Sequence, residues 1–472
     1  MITLPPAVSV LLQMFGLLFS NRWIDQWQQS PAGPVGKKKA GRRFYQRIYS
    51  LRVTLWYLIY QRLNFDPALA AVVTDVRRGG ADRLGRRGRK LSSRVRSTKT
   101  SAYSQARQRL PLALLEAALA HLGTLLCKQA GCDPAPRRPP GPASRTRQLL
   151  DGSTLSILAT PELAREFPPA CNQKGPSDWC LMRILVGFCA RSGAILSAIS
   201  GPVQHSEQAL AWILMARAQA FTLWIGDRNF GVWSVVAQAI RHRQDVVVRL
   251  TKTRARKLCA GRPLASGEDR AVQWKPSRHD QAAPGTARTT VAGRLIYVRL
   301  KKAGRYIDLW LFTTLPADDY PVALLVAWYG QRWQAELHFR SVKTQLKMSE
   351  LDVGTAAMAR KEFYAGLLAY SLVRAVMWSA GERLETGIKA LSFSQARRIL
   401  QTRLQDWGRG LSGDTSQWAQ EIARETAQHT LPKRRKPRRS EVRRVRHRRQ
   451  KFPPLKGSRA LARRLDRTTK SL

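Results

Sequence analysis

Acidic residues are scarce in this chain. Only 31 Asp and Glu stand against 81 Lys and Arg in 472 residues, a formal net charge of +50. A monomer at that charge repels itself unless a polyanion neutralises it, which points to nucleic acid before any other partner. Anionic membrane is the rival polyanion, a packaging protein without chemistry is the plainer alternative, and charge alone separates none of the three. Cysteine is scarce too: Cys127, Cys132, Cys171, Cys180, Cys189 and Cys259 include no CxxC pair and no partnered His spacing. That argues against a zinc finger or a disulfide framework and fits a reducing cytoplasm. A targeting signature is also lacking. The opening MITLPPAVSVLLQMFGLLFS has no positive n-region and no small-residue cleavage site, and Pro5 and Pro6 break it. It reads as a helix packing on the first domain rather than as a membrane anchor, and no membrane partner is expected.

What is present is an ordinary apolar content of 44%, enough for a buried core and two or three domains at this length. Residues 1–135 read as a helical, DNA-binding region. Within them, 77–99 hold ten basic residues and one acid, Asp82, and read as a solvated or DNA-contacting connector. Pro111 sits where a second helix would begin after SAYSQARQRL. The Pro-rich CDPAPRRPPGPASR marks a boundary near residue 140. From 145 to 251 the pattern is strand-like RQLLDGSTLSI, a hairpin turning at Arg191-Ser192-Gly193, a helix, the strand AFTLWIGD, a helix near 232–241 and the strand DVVVRL. A basic, β-rich stretch at 252–315 follows, with RLIYVRL and YIDLWLFTTL as neighbouring strands. Helices then occupy 316–385 and 386–430. The end, 431–472, reads as a basic tail that is disordered until it binds a partner.

The chemistry is carried by a few residues. Tyr329, Arg332, Glu336 and Lys343 stand at offsets of three, seven and fourteen, within roughly 60° of one another on an α-helix. One helix would thus present a phenol, a guanidinium, a carboxylate and an ammonium in a line, flanked by Val326, Trp333 and Leu337, which could seat it on a core. A carboxylate that holds metal between cations that hold phosphates suits a phosphodiester substrate. The plainer reading is a solvated face with an Arg332–Glu336 pair at i,i+4 spacing. Asp151 lies in an apolar strand and Asp227 ends another; singly, each reads equally well as a turn former or helix cap. A mixed sheet could bring both Asp beside Glu336, and three carboxylates at one point require cations between them.

LDGSTL, IGDRNFG and WYGQRWQAELHFRSVKTQLKMSEL resemble the first Asp, second Asp and YREK blocks of DDE transposases of the insertion-sequence-four family. AYSQARQRLP resembles a segment found ahead of their catalytic domain, and the likeness covers roughly 45–385. The resemblance implies an α/β, RNase H-like mixed-sheet catalytic domain with a β-rich insertion, preceded by a helical DNA-binding domain. It implies that Asp151, Asp227 and Glu336 bind two Mg²⁺ or Mn²⁺, and that Tyr329, Arg332 and Lys343 contact double-stranded transposon-end DNA. Trp310, by its place in the insertion, becomes a candidate for stacking on a flipped base. A homodimer acting on paired inverted repeats and target DNA, in a bacterial cytoplasm and close to the nucleoid, would follow. Competing with an active transposase are a transposase-derived binder that no longer cuts, a packager, and a non-transposing nuclease of the same fold. The complete Asp-Asp-Glu and YREK set favours the first.

Overall fold

The apolar runs between residues 146 and 313 carry large apolar side chains at both parities, so a sheet made from them must be covered on both faces. The computed structural model, which describes residues 21–30, 48–64, 68–85, 88–132, 145–172, 175–302, 305–384, 387–412, 414–432, 458 and 460, contains such a sheet. Strand β1 (Thr146–Leu158) is followed by a short helix α6 (Pro161–Glu166), β2 (Pro169–Asn172), β3 (Gly175–Cys189) and β4 (Ile195–Pro202). Then come helix α7 (Glu207–Arg217), β5 (Thr222–Gly226), helix α8 (Trp233–Arg241) and β6 (Asp245–Arg249). β1 runs antiparallel to β3 and β3 antiparallel to β4, while β1, β5 and β6 are mutually parallel. The order β4-β3-β1-β5-β6, with helices crossing over between the parallel strands, is an RNase H-like mixed sheet.

The next stretch holds helix α9 (Lys252–Leu258), β7 (Asp269–Trp274), β8 (Val291–Lys302) and β9 (Arg305–Thr313). β9 pairs antiparallel with β6 from Val247↔Thr313 to Arg249↔Leu311, so these strands extend the same sheet, and a two-residue strand β10 (Glu350–Leu351), parallel to β1 from Ser156↔Glu350, brings it to ten strands among the described residues. Strand alternation sorts the two faces. Leu149, Val186, Phe188, Leu223, Ile225, Val247 and Leu311 point into one core, and Leu150, Leu185, Trp224, Val246, Val248 and Phe312 into another.

The second core is closed by α7 and α8. The first is closed by helices from three parts of the chain: α1 (Asn21–Gln29), α2 (Leu51–Leu63), α3 (Leu69–Arg77), α4 (Ser101–Arg109) and α5 (Leu112–Gln129) before the sheet; α10 (Val322–Gly330), α11 (Trp333–Arg340) and α12 (Ala356–Gly381) after it; and α13 (Phe393–Arg409) and α14 (Thr415–Ala427) at the end. Pro111 caps α5, and α4 and α5 meet at 70°. α12 is long and apolar enough to cross a membrane, and 89% of its most apolar window is buried inside the protein. In its second turn Glu362, 1% exposed, is paired with Arg62 at 2.7 Å and with Arg107, which ties α2 and α4 to α12.

The basic run 77–99 is more than a solvated connector. Ala81, Leu84 and Leu91 are buried, Asp82 accepts from the Ser92 amide at 2.8 Å, and Arg83 stacks over Trp407 while donating to Ser412 and Thr415. The opening twenty residues, the Pro-rich segment 133–144 and the tail from 433 to 457 lie outside the described residues.

Candidate active site

Two Asp are placed by strand register. β1 and β5 are in register through Leu150↔Gly226, the last pair of that ladder, so Asp151 and Asp227 come next, on neighbouring parallel strands about 4.8 Å apart. Asp151 shares the parity of Leu149, whose side chain enters the first core, and so faces the helices of the 320–380 region. Asp227 is the first residue beyond β5, where its Oδ1 accepts from the Asn229 amide at 2.9 Å and turns the chain.

Glu336 comes from α11, which packs over that face through Ala335 and Phe339, joined by Val342 just beyond its end. The expectation of one uninterrupted helix does not hold. Between α10 and α11 the bonds Arg332 N–H to Tyr329 O, Gln334 to Gln331 O and Ala335 to Arg332 O are of the i→i−3 kind, and residues Ser341–Gln345 form a π-turn. Each i→i−3 step turns the chain by roughly 120° rather than 100°, so the apolar stripe drifts. Trp333 is therefore 59% exposed and Leu337 48% exposed, and neither seats the helix. Ala335, Phe339 and the buried His338, whose Nδ1 lies 2.9 Å from the Tyr370 hydroxyl, do so instead.

The winding nevertheless leaves the four polar residues near one another. Arg332 donates to Glu336 Oε1 at 2.8 Å. Tyr329 lies against Arg332, Arg249 and Asp227, and burial, ahead of the Asp227 charge, raises its pKa. Lys343 donates to Ser153 Oγ at 3.0 Å, two residues along β1 from Asp151. Asp151, Ser153, Glu336, Arg340, Lys343 and Glu350 line one open cleft of 560 Å³. Burial raises the Asp151 pKa from 3.8 to about 6; Arg332 and the Gly152 amide oppose the rise, and the charges of Asp227 and Glu207 add to it. Arg332 is held charged: burial acts against it, but Glu336, Tyr329 and Asp151 outweigh burial.

A family model described as "Transposase DDE domain" matches residues 142–372, the stretch that contains both Asp and the helix of Glu336. Residues 142–372 are a transposase DDE domain. The transposase InsG for insertion sequence element IS4 of Escherichia coli (strain K12) is 26% identical over 258 residues, 53% of this chain, which places the domain with the insertion-sequence-four type. The match spans 57% of that relative's length. A cryo-EM structure of a piggyBac transposase synaptic complex with hairpin DNA aligns with a TM-score of 0.40 and 11% identity, covering 88% of this chain and 85% of that one.

DDE domains generally use divalent metal ions. The donor set here fits such ions in kind: hard carboxylate oxygens meet at one cleft, and burial, with the charges of Asp227 and Glu207 added, pushes Asp151 toward its protonated form. As arranged, however, no group of three or more His, Cys, Asp or Glu among the described residues is close enough to hold an ion. Glu336 is engaged by Arg332, whose guanidinium supplies the positive charge at this point of the DDE domain.

Sequence reasoning missed Glu207. It opens α7 on the far side of the sheet, takes a hydrogen bond from Asn229 Nδ2 at 2.6 Å, and bears electrostatically on Asp151. Gly152 makes that approach possible, since a Cβ there would stand 2.4 Å from the Glu207 carboxyl carbon. In sequence, Glu207 after Ser206 reads only as an acid in the first turn of a capped helix. Trp310 is not with the others. It lies on β9 on the second-core side of the sheet, its ring stacked on Tyr297 at 4.2 Å, so cross-strand packing already occupies it.

Proposed function

We propose that this chain is a DNA transposase that binds the terminal inverted repeats of its element as a homodimer and cuts and rejoins double-stranded DNA in the bacterial cytoplasm. The observation that carries the reading is the placement of Asp151 on β1 beside Asp227, the first residue past the end of the adjacent parallel strand β5, under the helix of Glu336. Asp151, Asp227 and Glu336 would hold two Mg²⁺ or Mn²⁺. When bound, these supply Lewis-acid stabilisation of the phosphoryl oxygens and a lowered pKa for the attacking hydroxyl. Glu336 joins the set once Arg332 turns from it to a phosphate, which exchanges one anionic partner for another. Lys343, set beside Ser153 at the cleft wall, lies where a second phosphate would meet it. Tyr329 backs Arg332 and limits the directions the guanidinium can take. Water, and later the freed 3′-hydroxyl, attacks phosphorus in line with the departing 3′-oxygen. The surplus of cations on the chain binds the backbone without reading sequence, so affinity falls steeply with salt.

The test is cleavage of a labelled duplex carrying the element's own terminal repeat, with Mg²⁺, with EDTA and with Glu336→Gln. The expected result is a metal-dependent nick at the repeat boundary, lost in the variant while binding persists. Tight binding with no cut under any divalent metal would overturn the catalytic reading in favour of a transposase-derived binder.

A further inference from the structure

Far from the cleft, three cysteines that the sequence scatters meet at one point. Cys127 near the end of α5, Cys132 three residues beyond it, and Cys189 at the end of β3 bring their thiols together, with Cys189 Sγ 3.9 Å from Cys132 Sγ. Cys127 touches both and lies 3.7 Å from Ser192 Oγ. The three are free thiols, two of them buried, while Cys132 is partly open to solvent. The turn that carries Cys189 is held fixed. Ser192 N–H donates to Cys189 Sγ at 3.4 Å, the Ser192 carbonyl accepts from Arg374 at 2.6 Å and Trp378 at 2.8 Å, and the Tyr370 hydroxyl donates to Gly193 O at 2.9 Å. Arg147, Arg191 and Arg374 surround the thiols with positive charge. Hydrogen bonds from Cys127, Cys132 and Ser192 outweigh burial and hold the Cys189 thiol well below its ordinary range. No grouping of His, Cys, Asp or Glu among the described residues is arranged to hold a metal, so the trio as placed is not a metal site.

We infer that Cys189 and Cys132 form a peroxide-reactive thiol site whose oxidised form is a disulfide joining the end of α5 to the β3–β4 hairpin. The Cys189 thiolate attacks one oxygen of hydrogen peroxide, breaking the O–O bond, and becomes a sulfenic acid as hydroxide leaves. The Cys132 sulfur then attacks the Cys189 sulfur and expels the sulfenic oxygen as water. In sum, two thiols and one peroxide give one disulfide and two waters. Peroxide is small enough to reach a buried sulfur beside a partly open one, and the sulfurs start in contact, against a bond length near 2.05 Å. The product ties the helical region to the catalytic sheet across the segment 133–144. This inference does not depend on the DNA-cutting reading.

The experiment treats the reduced, folded full chain with hydrogen peroxide, alkylates the remaining thiols, and maps peptides by mass spectrometry without reductant. The expected product is a Cys132–Cys189 linked peptide, formed at least about tenfold faster than any oxidation of the buried Cys180 and Cys259, and still formed in Cys127→Ser. In Cys132→Ser the link disappears and a dimedone adduct appears on Cys189. The oxidised wild type also melts several degrees higher than the reduced chain, because the bond restricts the unfolded state. Oxidation spread evenly over all cysteines, or a link that forms only after unfolding in urea, would overturn the inference. If Cys132→Ser does not fold, the selectivity and the Cys127→Ser result in folded protein still decide it.

Discussion

Neutralising Asp151 has two opposite consequences. Burial, with the charges of Asp227 and Glu207, raises its pKa from 3.8 to about 6, so the folded chain binds this proton more tightly than the unfolded chain does. The sign follows. Stability associated with this group is fully present below pH 3.8 and is lost as pH rises through about 6, because the charged carboxylate is worse off folded than unfolded. At roughly 1.4 kcal/mol per tenfold, the cost above pH 7 is about 3 kcal/mol, or about half that once solvent screening in an open cleft is allowed for. Asp151→Asn, which keeps the shape and removes the charge, is therefore expected to be more stable than the parent at pH 7.5. For a chain of 472 residues the gain is about 1.5–3 °C in Tm. The offset shrinks toward zero at pH 4, measured by calorimetry or fluorescence in EDTA. Adding Mn²⁺ stabilises the parent by mass action and closes the gap, while DNA cleavage by the variant is abolished. A variant no more stable than the parent at pH 7.5, or an offset that does not change between pH 4 and 7.5, would refute the electrostatic account of the site.

Arg332→Ala frees Glu336 but removes a phosphate partner: cleavage should fall about 100-fold, with stability lower by about 1 kcal/mol or less, as expected of a partly exposed i,i+4 pair. Single-turnover kinetics beside a thermal melt separates the two effects. Gly152→Ala places a Cβ against the Glu207 carboxyl, the free end of a flexible side chain, so the fold should tolerate it within about 1 kcal/mol while Glu207 is driven off Asn229. An unchanged crystallographic position of Glu207 would count against that geometry. Glu362→Gln strands the Arg62 and Arg107 guanidiniums in the core and should destabilise by about 3–5 kcal/mol, measured by urea unfolding.

The parts of the site visible in the sequence were those with a local signature. Asp151 lies within one apolar strand run and Asp227 ends another, and the spacing of Tyr329, Arg332, Glu336 and Lys343 is helical, so element and residue type were legible together. The phase of that helix was not. The i→i−3 turn at 331–335 and the π-turn at 341–345 are imposed by docking Ala335, Phe339 and Val342 on the sheet. A constant 100° per residue therefore put Trp333 and Leu337 on the wrong side. Pairing of β9 with β6 joins residues more than sixty apart, and the meeting of Cys127, Cys132 and Cys189 depends on where two loops end. Neither leaves a periodicity to find.

The first core also changes what counts as a unit. Helices before the sheet and helices after it share that core with α12. Arg62 and Arg107 reach Glu362, Arg397 donates to Leu63 O at 2.5 Å, and Arg83 grips the start of α14. α12 in turn holds the β3–β4 turn through Tyr370, Arg374 and Trp378, and its Tyr370 meets His338, two residues from Glu336. The position of Glu336 over Asp151 thus rests on side chains drawn from both ends of the chain. A segment cut to residues 145–385 would strip Glu362 of both guanidiniums and bare the apolar flank of α12. The helices that flank the DDE domain are part of what holds its carboxylates in place, so substitutions in α2 or α13 can alter cleavage without touching DNA.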